Sequence, residues 1–417
     1  MPYIAEGLAP SARYKQMPAY SSRTRPNPAL PLLILTFATV AAVLWLLPLF
    51  IPRSVLFPPG PNFEDILVYK GRFTLYHSAK FFTSRTFSAF AYPAGSGPIY
   101  EALYKTSDAV QTYCMFAGIA AGIAGIATYL CLSRARHTNL FFPLLVAASF
   151  PLVFLIQRAN IEIVLWLVIA AGIVAYRRGQ SILAAILFGL AATTKLYPIF
   201  MLGLFLGPAA KRSRQDLPAF VVGIATFVLG MIAAVSYAGP TFAIAARGFF
   251  SGVSQFQNHY VEVVSRVEIV FDHCLFSPVK YWAFTHHTSP APYTHLYFLL
   301  AGTLALVLFV RARSLPFLNR VIFLTGAMVA LPPVSFNYTL VHLYLPLLLA
   351  ISAAAAPRAP ASTLLALALL LFLMLPLASL WAISTVPTGL TQSVALLALM
   401  LLSAATPWPG NSRMDAR

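Results

Sequence analysis

Acidic residues are scarce in this chain. Only 11 of its 417 residues are Asp or Glu, and charged residues of both signs make up 9%, where a soluble domain carries roughly 25%. That shortage excludes an ordinary solvated globular fold. Cysteine is scarcer still: Cys114, Cys131 and Cys274 are the full set. They show no CxxC spacing, and the first two fall in one apolar run. A disulfide framework and a cysteine metal site are excluded, and the thiols read as inert core groups. There is no Gly-rich phosphate loop, so nucleotide chemistry lacks a cradle, and no repeat with a shared motif recurs along the chain.

What fills the chain is apolar. Hydrophobic residues reach 59% and mean hydropathy is +0.78. Apolar runs of about 17–25 residues recur, each long enough for roughly 30 Å of hydrocarbon. Solid runs, rather than weak alternation, exclude a membrane β-barrel. The class is an all-α, polytopic transmembrane helical bundle. The net charge of +17 does not point to nucleic acid. Lys and Arg cluster in short loops between spans, as the positive-inside rule demands, and such a surface also suits anionic lipid.

Residues 1–29 are polar, Pro-rich and basic, without the apolar core of a signal peptide, and read as a disordered cytoplasmic tail. The bundle occupies 30–406, and 407–417 reads as a cytoplasmic C-terminal tail. Spans are expected at about 30–51, 109–132, 139–156, 161–176, 217–238, 294–310, 361–383 and 389–406. Two longer segments, 181–210 and 321–355, are each expected to fold back as a pair of short arms. Their breaks fall at Lys195-Leu196-Tyr197-Pro198 and at Leu331-Pro332-Pro333, where proline stops a helix. The total is about 12 spans. With the N-terminus inside, the short basic loops carrying Arg134, Arg136, Arg177, Arg178, Lys211, Arg212, Arg214, Arg311, Arg313, Arg320 and Arg358 all face the cytoplasm. The long loops 52–108 and 239–293 then face outward. In the first, Phe63, Ile66, Leu67, Phe73, Tyr76 and Phe81 recur at helical spacing with basic residues between them, which predicts an interfacial helix; an ordinary packed loop is the plainer alternative.

Ionisable groups gather at the outer span ends: Glu64 and Asp65, Arg158 with Asn160 and Glu162, Lys195, and Asn337 with His342. A carboxylate at the mouth of an apolar bundle is a functional candidate, and Asp65 has no basic residue one helical turn away on both sides. Each of the others has a structural alternative. Arg158 and Glu162, four apart, would neutralise each other on one helix. Asn160 would cap a helix. Lys195 would snorkel to the interface, and His342 would be a hydrogen-bonded core residue. His286-His287 lacks carboxylate partners at ligand spacing and reads as solvated.

Several blocks carry a resemblance. Asp65-Ile66-Leu67-Val68-Tyr69, opening a long loop after the first span, is similar to the Asp-x-x-x-Tyr entry of GT-C superfamily glycosyltransferases that use polyprenyl-phosphate sugars. Tyr92-Pro93-Ala94, Pro98 and Tyr100 resemble the stretch that closes that loop. Gln157-Arg158-Ala159-Asn160, then Ala184 to Ala192 and Thr194-Lys195-Leu196-Tyr197-Pro198, resemble the middle block of the bacterial α-mannosyltransferase-like GT-C family. Pro333-Val334-Ser335-Phe336-Asn337-Tyr338 is similar to its Pro-x-Ser-Trp-x-His motif. Two departures stand out: Ala159 replaces the usual Gly, and Phe336-Asn337-Tyr338 lacks the histidine.

The resemblance implies a GT-C bundle in a bacterial inner membrane, with its active site facing outward. It implies an inverting transfer of a hexose, usually mannose, from a polyprenyl phosphate to a lipid or glycan acceptor. Asp65 would be the catalytic base, and Arg158, Lys195 and His342 would hold the donor phosphate. Glu64, Tyr69, Asn160, Glu162, Tyr197, Asn337 and Tyr338 would contact substrate. No cofactor is expected beyond the lipid-linked donor, and no metal, because no pair of acidic motifs is present to hold one. A transporter or flippase for lipid-linked saccharides and a non-catalytic envelope-assembly protein are the rival classes; a transporter should show internal repeats and midplane charges.

Overall fold

A computed structural model describes residues 27–51, 56–57, 61–84, 90–132, 149–207, 214–262, 266–356, 359–382 and 386–408. The expected tail 1–26, the basic loops holding Arg134, Arg136, Lys211, Arg212 and Arg358, and most of the expected span 139–156 lie outside them. Among the described residues there is no strand, only the isolated bridge Asp272–Phe336.

The helices follow the apolar runs. In chain order they are α1 (Ala29–Phe50), α2 (Glu64–Phe73), α3 (Ala79–Thr83), α4 (Gly97–Tyr104), α5 (Ala109–Leu132), α6 (Phe150–Arg158), α7 (Glu162–Arg177), α8 (Ser181–Thr194), α9 (Asp216–Ala238), α10 (Phe242–Gln257), α11 (Arg266–Phe271), α12 (Ser277–Thr285), α13 (Thr294–Ala312), α14 (Phe317–Ala330), α15 (Tyr344–Ala354), α16 (Ala361–Leu373) and α17 (Thr388–Ala405). By length and composition, five helical runs among the described residues can cross a membrane: Ala29–Phe50, Asp216–Ala238, Ala291–Ala312, Asn337–Ala354 and Thr388–Ala405. The twelve expected also count the short arms of 181–210 and 321–355 and the span at 139–156, most of which lies outside the described residues. α8 stops at Thr194 and the chain continues as a 3-10 helix over Tyr197–Leu206. α14 stops at Ala330 before the two prolines, and a second 3-10 helix covers Asn337–Leu343. Both breaks lie where the sequence predicts them, and both deliver polar side chains to one region.

Burial sorts the helices. α1 and α13 leave large apolar side chains such as Leu49, Phe50, Leu299 and Leu300 exposed, the surface expected of helices facing hydrocarbon. Every residue of α14 except Arg320 is buried, so it is the central helix. α8 and α9 approach closely at glycines: a β-carbon on Gly189 would lie 2.5 Å from the Gly223 carbonyl oxygen. Small residues at such crossings let backbones pack without side-chain clash. Trp408, at the start of the expected C-terminal tail, is buried, and its backbone N–H donates to Asn319 Oδ1 at 3.0 Å.

One turn matters most for the site. Ala159 sits at φ 54°, ψ 45°, left-handed and fully buried, and separates α6 from α7. This is the position where the resembling family carries Gly, and the left-handed backbone supplies the reason. The break also answers the question of Arg158 and Glu162. They stand on different helices and do not pair with each other. An L-residue in this conformation costs about 1 kcal/mol. Ala159→Gly should therefore raise the thermal midpoint in detergent slightly, and Ala159→Val should lower it by several degrees; a fall for Ala159→Gly would show that the buried methyl contact outweighs the backbone strain.

Candidate active site

The first long loop folds into α2, α3, a short 3-10 turn at Ala94–Ser96 and α4. α2 is amphipathic. Ile66 and Phe73 turn inward, and Phe73 packs in a cluster of rings with Tyr76, Phe81, Phe90, Tyr100 and Tyr104. Buried Arg72 donates to the carbonyls of Phe81 and Ser84 and ties the loop to itself. This packing fixes the first turn of α2, which carries Glu64 and Asp65. The Phe63 N–H donates to the Gln157 carbonyl at 2.7 Å, and Gln157 Nε2 donates to Asn62 Oδ1 at 3.1 Å. The start of α2 is thereby pinned to the end of α6.

Two charge clusters result. In the first, Arg158 divides its guanidinium between Glu64 and Asp65, with Nη2 at 2.6 Å from Asp65 Oδ1. In the second, fully buried Glu162 accepts from Lys195 Nζ at 2.5 Å, from His342 Nε2 at 2.8 Å and from the Tyr197 hydroxyl. Asn160 joins the two. Its Nδ2 donates to Asp65 Oδ2 at 2.5 Å and to the Tyr92 hydroxyl at 3.1 Å. Its Oδ1 accepts from Lys195 Nζ at 3.3 Å and from the Glu162 N–H at 3.1 Å. Asn160 therefore stands one residue ahead of the N-cap Ile161, takes the first N–H of α7 on its side chain, and orients Asp65 as well. Lys195 does not snorkel: its ammonium is buried and lies 5.2, 5.9 and 5.1 Å from the ring centres of Tyr92, Tyr197 and Tyr338, within cation–π range.

A cavity of about 1440 Å³ opens beside these clusters. Glu64, Asp65, Tyr69, Arg158, Lys195, Tyr197 and Tyr338 line it. Asn160, Glu162, Asn337 and His342 do not; they stand behind the wall. His342 is the buried, hydrogen-bonded histidine of the plainer reading, holding Glu162 from the far side of the cavity. Asp65 is 13% exposed and Glu64 39%, so the inner carboxylate is Asp65. Each of its oxygens has one donor, and a carboxylate oxygen has a second acceptor site left. Burial pushes the Tyr69 phenol up, and the Asp65 carboxylate adds to it, so Tyr69 stays protonated and is no base.

A third cluster, absent from the sequence reading, frames the cavity from the second long loop. Asp272 and Lys280 form a buried ion pair at 2.5 Å. Asp272 Oδ1 also accepts from the N–H groups of Ser335 (2.9 Å) and Cys274 (3.2 Å). His273 N–H donates to the Ser335 carbonyl, and Leu275 N–H to the Ala330 carbonyl. The His273 ring meets Asn337 Oδ1, Ser335 Oγ and Thr339 Oγ1, each at 3.2 Å. Residues 272–275 thus staple the proline break that presents Tyr338 to the cavity. The scarcity that singles out Asp65 applies equally to Asp272 and was the available signal. Burial, with Asp272 adding, pushes the Cys274 thiol up to about 12, in keeping with an inert cysteine. His286 and His287 are exposed, and among the described residues no group of three His, Cys, Asp or Glu is arranged to hold a metal ion.

An apolar helical bundle with paired carboxylates and cations beside a large cleft describes a membrane protein with a charged site in its interior. Residues 90–332 match the sequence model of glycosyltransferase family 87, more than half of the chain. The chain belongs to glycosyltransferase family 87, a GT-C-type family, and is a glycosyltransferase. No curated protein matches it. Arg158, Asn160, Glu162, Lys195, Tyr197 and the 272–275 staple fall inside the matched stretch. Glu64 and Asp65 precede it, and Asn337, Tyr338 and His342 follow it.

Burial holds the His273 ring down to about 4, against about 6.5 in an unfolded chain. Between those values the unfolded state binds the extra proton, so stability is lost as pH falls from about 6.5 towards about 4, on the order of 3 kcal/mol. Thermal midpoints in detergent across this window should fall with pH for the native protein and fall less for His273→Gln; parallel profiles would remove His273 as the source.

Proposed function

We propose that this glycosyltransferase moves a hexose, mannose foremost, from a polyprenyl phosphate to a hydroxyl acceptor, with inversion, at the outer face of a bacterial inner membrane. The observation that carries the reading is the meeting of Asp65, Arg158 and Lys195 on one cavity whose remaining lining is largely apolar. A polyprenyl-phosphate sugar is a polar head on a long isoprenoid tail. The Tyr197–Leu206 segment, α9, α13 and α14 give the cavity an aliphatic side, with Leu202, Leu206, Ile224, Leu306 and Leu324, suited to such a tail. At about 1440 Å³ the space exceeds an ordinary small-molecule pocket of roughly 300–1,000 Å³. The basic short loops support the outward orientation.

The geometry supports an inverting displacement. Arg158 and Asn160 each donate to one oxygen of the Asp65 carboxylate and hold it aimed. Asp65 takes the acceptor's hydroxyl proton, and the acceptor oxygen forms its bond to the anomeric carbon on the face away from the phosphate. The bond between that carbon and the phosphate oxygen breaks, and its electron pair stays on the phosphate. Polyprenyl phosphate leaves with one more negative charge than the donor carried. Arg158 and Lys195 stabilise that charge. Arg158 does so by exchanging the exposed Glu64 for a phosphate oxygen. Glu162, braced by His342 and Tyr197, holds Lys195 in place and is a positioning residue. The aromatic rings around Lys195 shield it from water and strengthen its interaction with an anion.

Asp65→Asn keeps the size and the contact to Arg158 while removing the base. Transfer from a radiolabelled polyprenyl-phosphate mannose should drop about 100- to 10,000-fold with the detergent-extracted protein still monodisperse. Turnover within a few-fold of wild type would refute Asp65 as the base.

A further inference from the structure

The cavity has two kinds of lining. The aliphatic side needs no hydrogen-bonding groups, and the tail of a lipid donor accounts for it. Beyond the charged cluster, a further part of the lining is different in chemistry and comes from the end of α10 and the turn after it. Gln255, Phe256, Gln257, His259 and Tyr260 all face the cavity, with Phe336 beside them. The segment Asn258–Glu262 is a π-turn, an irregularity that tends to mark functional sites.

The rings form a continuous path. Phe256 and Tyr260 are 4.8 Å apart, Tyr260 meets Phe336 edge-on at 6.0 Å, and Phe336 meets Tyr338 at 5.9 Å. Tyr338 is one of the rings around Lys195. The path therefore runs from the charged cluster to the second long loop. Planar polar groups flank it. Gln255 Nε2 rests on Ser251 Oγ at 3.4 Å and Gln257 Nε2 on Glu262 Oε1 at 3.3 Å. Among the described residues no hydrogen bond reaches either amide oxygen, and none reaches the exposed His259 ring.

Flat aromatic faces flanked by amides and an imidazole fit one ligand class well. A sugar ring has a face of C–H groups, which packs on an aromatic face, and a rim of adjacent hydroxyls, which planar amides and imidazoles bond in pairs. We propose that Gln255, Phe256, Gln257, His259, Tyr260 and Phe336 form an acceptor-sugar subsite, so that the hydroxyl offered to Asp65 belongs to a carbohydrate ring stacked on Tyr260. The inference rests on the donor reading above for its catalytic step, but binding of the acceptor ring does not depend on it.

The test uses full-length protein in a detergent without a sugar headgroup. Saturation-transfer NMR with methyl α-mannoside and methyl α-glucoside should show ring-proton contact to wild type. Tyr260→Ala should lose it and Tyr260→Phe should keep it. In the transfer assay with polyprenyl-phosphate mannose, Tyr260→Ala should raise the KM for a glycoside acceptor roughly tenfold without raising the KM for the donor. No contact in wild type, or equal contact in wild type and Tyr260→Ala, overturns the subsite. Tyr260-dependent binding without any transfer by wild type upholds the subsite and refutes the donor reading.

Discussion

One side-chain amide holds the site together. Asn160 reaches Asp65 and Tyr92 with its nitrogen and takes Lys195 and the start of α7 on its oxygen. Charges inside an apolar bundle persist only when paired and hydrogen-bonded. Here an acid–base cluster on α2 and α6 and another on α7 and the Lys195 break each pair their own charges, and the amide sets the spacing between them. The left-handed turn at Ala159 is what aims Asn160 between the two. A continuous helix through 158–162 would bring Arg158 and Glu162 together and leave Asp65 and Lys195 without their present partners.

Pairing also tunes reactivity. Arg158 has a more exposed partner in Glu64 and a less exposed one in Asp65; on the proposed mechanism the outer carboxylate is the one an incoming phosphate displaces. Lys195 has no such spare partner. Its carboxylate, Glu162, is fully buried and is itself held by His342 and Tyr197. The two cations are thus unlike in kind, one with a partly exposed partner and one with a fully buried one, although a sequence shows only an Arg and a Lys.

The second long loop supports the far side. Asp272, Lys280 and His273 clamp the proline break through backbone and side-chain bonds. This fixes Tyr338, which closes the ring cage on Lys195 and begins the aromatic path to Tyr260. In place of a histidine in the Pro-x-Ser-Trp-x-His position, the chain has a tyrosine ring on the cavity wall. His342 lies behind Glu162 and acts on Lys195 through it.

Hydropathy and proline placement were enough to read the helical membrane class, the long α1, α5, α9 and α13, and the breaks after Thr194 and Ala330, because these follow from local chemistry: apolar length and missing backbone donors. The candidacy of Asp65, Arg158 and Lys195 was legible for the same reason, since a few charges in an apolar chain stand out one by one. Their pairing was not. Spacing offered an Arg158–Glu162 pair as one alternative because periodicity assumes an unbroken helix, and a residue in left-handed backbone separates them. Which carboxylate faces the cavity, which histidine stands behind it, and that residues 272–275 meet 330–339 are contacts between segments far apart in the chain. Such contacts depend on how helices pack in three dimensions, and no local pattern of residues encodes them.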